Sequence, residues 1–157
     1  MLSTSSSSCR SPYVAVDGES LQAWVVWRGS PPATVFGALL DSALVPLQQE
    51  LKLSGMDEAA PTGALRLADG HLAIAWNDVP FPGGDVHLGI RTWIGEPVIE
   101  ELTVNILTAG TQELGDLGLT TDGGIIAVWR GQLPGGGANS FGIYAQRFDS
   151  NGNRLYH

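Results

Sequence analysis

Ile125-Ile126-Ala127-Val128-Trp129, entered from the turn Asp122-Gly123-Gly124 and left through Arg130-Gly131, decides the fold of this 157-residue chain. The run is apolar, rich in β-branched residues and too short for a helix, so it reads as a buried strand. Leu72-Ala73-Ile74-Ala75-Trp76 repeats it after Asp69-Gly70, and a third Asp-Gly turn stands at Asp17-Gly18. The three turns lie 52 and 53 residues apart. A fixed period of that length marks a tandem repeat.

Two tryptophans compete for the repeat position in the first copy. Trp27 lies in Val26-Trp27-Arg28-Gly29, a string that recurs as Val128-Trp129-Arg130-Gly131. Trp24 instead follows Asp17 by seven residues, as Trp76 follows Asp69 and Trp129 follows Asp122, and Gly37, Gly89 and Gly142 come thirteen residues later in turn. The constant spacing favours Trp24.

The copies span approximately 13–54, 61–105 and 114–157, behind a flexible Ser-rich tail at 1–12. The last is incomplete, stopping at His157 where a closing strand should begin. Each copy reads as four antiparallel strands. A short strand precedes Asp-Gly, a dipeptide favoured in two-residue hairpin turns that need positive φ at both positions. The strand ending in Trp comes next, then a Gly/Pro loop such as Pro82-Gly83-Gly84, then a strand such as Ile143–Phe148. Val98, Glu100, Leu102 and Val104 alternate along a closing strand.

The third copy's Asp122-Gly123-Gly124, Trp129, Gly142 to Asp149 (Gly-Ile-Tyr-Ala-Gln-Arg-Phe-Asp) and Asn151-Gly152 resemble a repeat found in tandem in large bacterial secreted and cell-surface proteins. The second copy keeps Asp69-Gly70, Trp76, Gly89-Ile90 and Val104-Asn105. The expected fold is all-β, three four-stranded antiparallel repeats; the resemblance implies β-propeller-like blades, and three such repeats in a chain of this length leave a β-trefoil as the alternative. The resemblance also implies an extracellular or cell-surface location. Propellers close with about 4 to 8 blades, so a homodimer completing a six-bladed ring is one expected assembly.

Composition excludes some functions. The net charge is −8, Lys52 is the single lysine and the seven arginines are scattered. Nucleic acids need a basic face, so they are not expected partners. No apolar run reaches membrane-spanning length, and no membrane insertion is expected. Cys9 stands alone, so no intrachain disulfide can form.

No catalytic cluster is evident. Trp24, Trp76 and Trp129 recur and read as packing, and Asp17, Asp69 and Asp122 read as turn chemistry. Trp93 and Trp27 do not recur, which makes them the candidate ligand contacts, stacking on sugar. His71 and His87 read as surface residues that make no metal site. Asp149-Ser150-Asn151-Gly152-Asn153 reads as a hairpin turn in preference to a calcium loop. Neighbours on a strand point to opposite faces, so Glu100 and Glu101 should not share a site. The expected function is a non-enzymatic structural or interaction module binding protein or glycan through loops, alternatively a small lectin, with no cofactor or metal.

Overall fold

The computed structural model describes residues 8–55, 57–78, 84–137 and 140–156. The Ser-rich residues 1–7, Pro82, Gly83 and His157 lie outside them. The first sheet contains β1 (Ser8–Val16), β2 (Ala23–Ser30), β3 (Thr34–Leu40) and β4 (Pro46–Lys52). The second contains β5 (Ala59–Arg66), β6 (Leu72–Asp78), β7 (Val86–Arg91) and β8 (Pro97–Thr103). The third contains β9 (Gln112–Leu119), β10 (Ile125–Gln132), β11 (Phe141–Phe148) and β12 (Arg154–Leu155). Each is a four-stranded antiparallel meander, and the first strands β1, β5 and β9 run side by side where the sheets meet. No sheet closes on itself as the trefoil alternative requires.

Two expected boundaries move. Residues 8–12, assigned to the tail, pair with β2 and extend β1. The third copy does gain a closing strand, the two-residue β12 paired with β11.

Register overturns the choice of Trp24. Trp27, Trp76 and Trp129 are each the fifth residue of their strand, and they face Phe36, His87 and Tyr144 across it. Beside each of them the first strand bulges, at Ser11-Pro12, Thr62 and Gly115. Trp24 instead corresponds to Ala73 and Ile126. The constant spacing misled because β2 starts six residues after Asp17, whereas β6 and β10 start three after Asp69 and Asp122. Asp17 therefore corresponds to Leu67 and Thr120, and Gly37, Gly89 and Gly142 occupy three different register positions.

The Asp-Gly turns also differ from the two-residue form. Leu67 N–H donates to the His71 carbonyl (2.8 Å) and Gly70 N–H to the Leu67 carbonyl (3.0 Å). That is a three-residue loop with only its last position, Gly70 at φ +89°, left-handed. The same pair of bonds shapes the turns ending in Gly95, Gly123 and Gly152, all at positive φ. In the first sheet's β3–β4 turn, Leu44 holds that position at φ 62°.

The core lies between sheets. Trp24, Val26 and Val35 of the first sheet pack against Leu72, Ile74 and Trp76 of the second. Ala73, Ala75, Leu88 and Ile90, on the second sheet's other face, pack against Ile125, Ala127, Trp129 and Phe148 of the third. β6 is thus covered on both faces, as its apolar run predicts. β10 is not: Ile126 and Val128 are only half-buried.

A carboxylate–imidazole–carboxylate cluster

The second sheet turns one face of β6 and β7 toward the first sheet. There His87, expected on the surface, is buried at 4% exposure. Its ring stacks on Trp76, with centroids 5.9 Å apart and planes at 15°. Nε2 lies 2.9 Å from Asp78 Oδ1 and Nδ1 lies 3.3 Å from Glu101 Oε1. These are ion-pair distances without hydrogen-bond alignment, so both ring nitrogens remain unsatisfied as donors or acceptors. Unsatisfied buried polar atoms are costly and concentrate where chemistry is done. The two carboxylates keep 33% and 30% of their side-chain surface exposed, so both are open to solvent.

Glu100 joins them, contrary to the alternation argument. The ladder pairs Leu88 with Leu102 and Ile90 with Ile99, so Glu100 and Glu101 both stand against Gly89 in a bulge. Both reach toward Gly55 of the first sheet's exit segment: a Cβ added there would lie 3.1 Å from Glu101 Oε2 and 3.5 Å from Glu100 Cγ. Arg91, two residues along β7 from Gly89, is buried and donates from Nη2 to the Leu53 carbonyl at 2.5 Å. Burial pushes the Arg91 guanidinium below its ordinary pKa, and the Glu100 charge opposes that shift.

The expected ligand contacts lie elsewhere. Trp27 is buried at 4% exposure. Trp93, in the β7–β8 turn, is half-buried and tied to the first sheet: its carbonyl accepts from Trp24 Nε1 (2.8 Å) and its own Nε1 donates to Gln22 Oε1 (3.0 Å). Arg66 covers its ring at 5.6 Å. His71 lies 3.2 Å from Asp69 Oδ2 and apart from the cluster's residues. The Asp149 carboxylate takes the N–H groups of Asn151 and Asn153 within its own turn, and hydrogen bonds from Asn153 hold it below the usual carboxylate range. Among the described residues no group of three or more His, Cys, Asp or Glu side chains has the geometry to hold a metal.

No family model and no curated protein matches the chain. Solved structures do. A glycosidase candidate from Bacteroides thetaiotaomicron is 16% identical with a TM-score of 0.49, matching 94% of this chain and 52% of that one. A glycosyl hydrolase from Bacteroides ovatus is 14% identical at 0.49, over 94% and 50%. A third, from work on mannoside phosphorylases and glycoside hydrolases of the GH130 family, is 14% identical at 0.47, again over 94% and 50%. The chain spans about half the length of these proteins. The expectation of a non-enzymatic module, with its lectin alternative, is withdrawn. What overturns it is that the fold brings Asp78 and Glu101 to opposite nitrogens of the buried His87, a set no spacing in the sequence marks.

Proposed function

We propose that this chain forms consecutive blades of a propeller-type enzyme that hydrolyses glycosidic bonds, with Asp78 and Glu101 as the catalytic carboxylates. The observation that carries the reading is that two part-exposed carboxylates hold opposite nitrogens of one buried imidazole. Glycoside hydrolysis needs one carboxylic acid to protonate the leaving oxygen and one carboxylate to activate water or attack carbon. Two contacts across one imidazole keep the oxygens within roughly 8 Å of each other, close enough for a pair of carboxylates to act on one glycosidic bond.

His87 is the positioning residue. Stacked on Trp76, the ring stands between the two carboxylates and holds them on its opposite sides. Trp76, fully buried, fixes the ring plane.

The test is hydrolysis of a panel of aryl glycosides and short oligosaccharides. Asp78→Asn and Glu101→Gln should each lower turnover about 100-fold or more, with circular dichroism unchanged. Absence of cleavage by the unaltered chain, or variants as active as it, would sink the reading.

A further inference from the structure

The register position that builds the cluster between the first and second sheets recurs between the second and third, with different chemistry. Trp76 and His87 are replaced by Trp129 and Tyr144, whose rings stack at 5.8 Å and 19°. Gly131, without a side chain, takes the place of Asp78, and Gln146 that of Gly89. The result is a cleft of about 300 Å³, lined chiefly by Trp129, Tyr144, Ile106, Leu107, Gln112 and Gln146.

Among the described residues no lining side chain is charged, in a chain of net charge −8. The side-chain amides are engaged mainly as local donors: Gln146 Nε2 donates to the Arg147 and Leu155 carbonyls, and Asn105 Nδ2, at the cleft edge, to Asp85 Oδ1 and the Leu107 carbonyl. Gln112 Oε1 accepts from Trp129 Nε1 at 3.1 Å, which fixes the indole. What remains is the half-buried Tyr144 ring backed by Trp129, two aliphatic side chains and the Gln146 side-chain oxygen, since the Asn105 and Gln112 oxygens already accept from Val86 N–H and Trp129 Nε1. That suits an uncharged ligand with a flat apolar face and hydroxyl donors at its edge.

The cleft is also joined to the cluster. Asn77, between Trp76 and Asp78 in β6, donates from Nδ2 to the Gln112 carbonyl at 2.9 Å. Cluster and cleft thus lie back to back across β6, at the same end of the sheets.

We propose that this cleft is a subsite for one neutral pyranose ring of the substrate, stacked on the half-buried Tyr144 ring, with the buried Trp129 as its backing. The choice of a sugar rests on the hydrolase reading; the cleft and its lack of charge do not. Binding is therefore measured on the Asp78→Asn chain, where cleavage plays no part, by calorimetry with methyl pyranosides of glucose, galactose and mannose and with neutral trisaccharides. Trisaccharides should bind, and both Tyr144→Leu and the exposed-wall variant Leu107→Asp should weaken binding about tenfold or more. The second variant keeps the aromatic core intact if the first disturbs folding. Sugar binding unchanged in both folded variants would overturn the subsite. So would no sugar binding at all, even if the unaltered chain cleaves glycosides. Tyr144-dependent binding of indole or phenol without any sugar would overturn the ligand class. Sugar binding that depends on the wall in a chain that cleaves nothing would support the subsite and remove the hydrolase.

Discussion

Asp122 shows how much one exposed side chain can be shaped by its turn. Its Oδ1 accepts from Thr120 Oγ1 at 2.5 Å and its Oδ2 pairs with Arg147 Nη2. These contacts, Thr120 first, hold the Asp122 carboxyl at about 2, against 3.8 for a free side chain. A depressed carboxylate pKa stabilises the fold above the unfolded value, and that contribution fades as pH falls from about 4 through about 2. Because the side chain is more than half exposed, the expected signature is local. Carbon-detected titration should place the Asp122 midpoint near 2, and Arg147→Gln should move it back toward 3.8. A midpoint unchanged in that variant would mean that Arg147 contributes nothing. Gly89 makes the complementary case for confinement: a Cβ there would lie 2.9 Å from the Trp76 ring and 3.2 Å from the Glu100 carbonyl. Its glycine is required by the packing around the cluster, which the thirteen-residue spacing could not reveal.

At the scale of elements, the β3–β4, β5–β6, β7–β8, β9–β10 and β11–β12 turns share one hydrogen-bond pattern, and four carry glycine at the left-handed position. Leu44 is the exception, at φ 62° and 71% exposed. A left-handed non-glycine residue costs about 1–2 kcal/mol. Glycine gives back roughly 0.5–1 kcal/mol through the entropy of the unfolded chain. Leu44→Gly should therefore raise Tm by about 1–3 °C in a calorimetric scan; a lower Tm would mean that the leucine side chain packs usefully. The element scale also separates what the sequence made legible from what it hid. Turn residues and apolar strands are local, so three β repeats and their Trp strands could be read directly. The β1–β2 turn is longer than its counterparts, and Gln22 within it reaches Trp93, a tertiary contact 71 positions away. That insertion cancelled in the Asp-to-Trp count and hid the pairing of Trp27 with Trp76 and Trp129. The string Val26-Trp27-Arg28-Gly29 was the signal that could have found it. The cluster was hidden for a related reason. A bulge breaks the period of two, so Glu100 and Glu101 meet one partner residue, and His87 is recognisable only once register sets it beside Trp76.

At the scale of the molecule, the outward face of the third sheet repeats the face by which the first two dock. Val35 and Val86 are 0% exposed, while Ile143, at the same register position, is 75% exposed. Val14 (57%) and Val16 (54%) line the outward face of the first sheet, on the side that Ile74 and Trp76 use in the second. Covering an isoleucine of that size contributes about 1.5–3 kcal/mol. At high concentration the isolated chain should associate through these faces, with light scattering giving a mass above the 16.5 kDa of one chain. Ile143→Arg should return it to the mass of one chain. A monomer at all concentrations would show that the two faces do not complement each other.

The recurring docking face has a meaning for how such a chain can grow. A further copy of the repeat placed after the third sheet would meet Ile126, Val128 and Ile143 as the second sheet meets Trp24, Val26 and Val35. It would need no newly evolved contact surface. Length can therefore change by duplication of one unit, while each junction is free to diverge, as ionisable residues did at one and aromatic residues at the next.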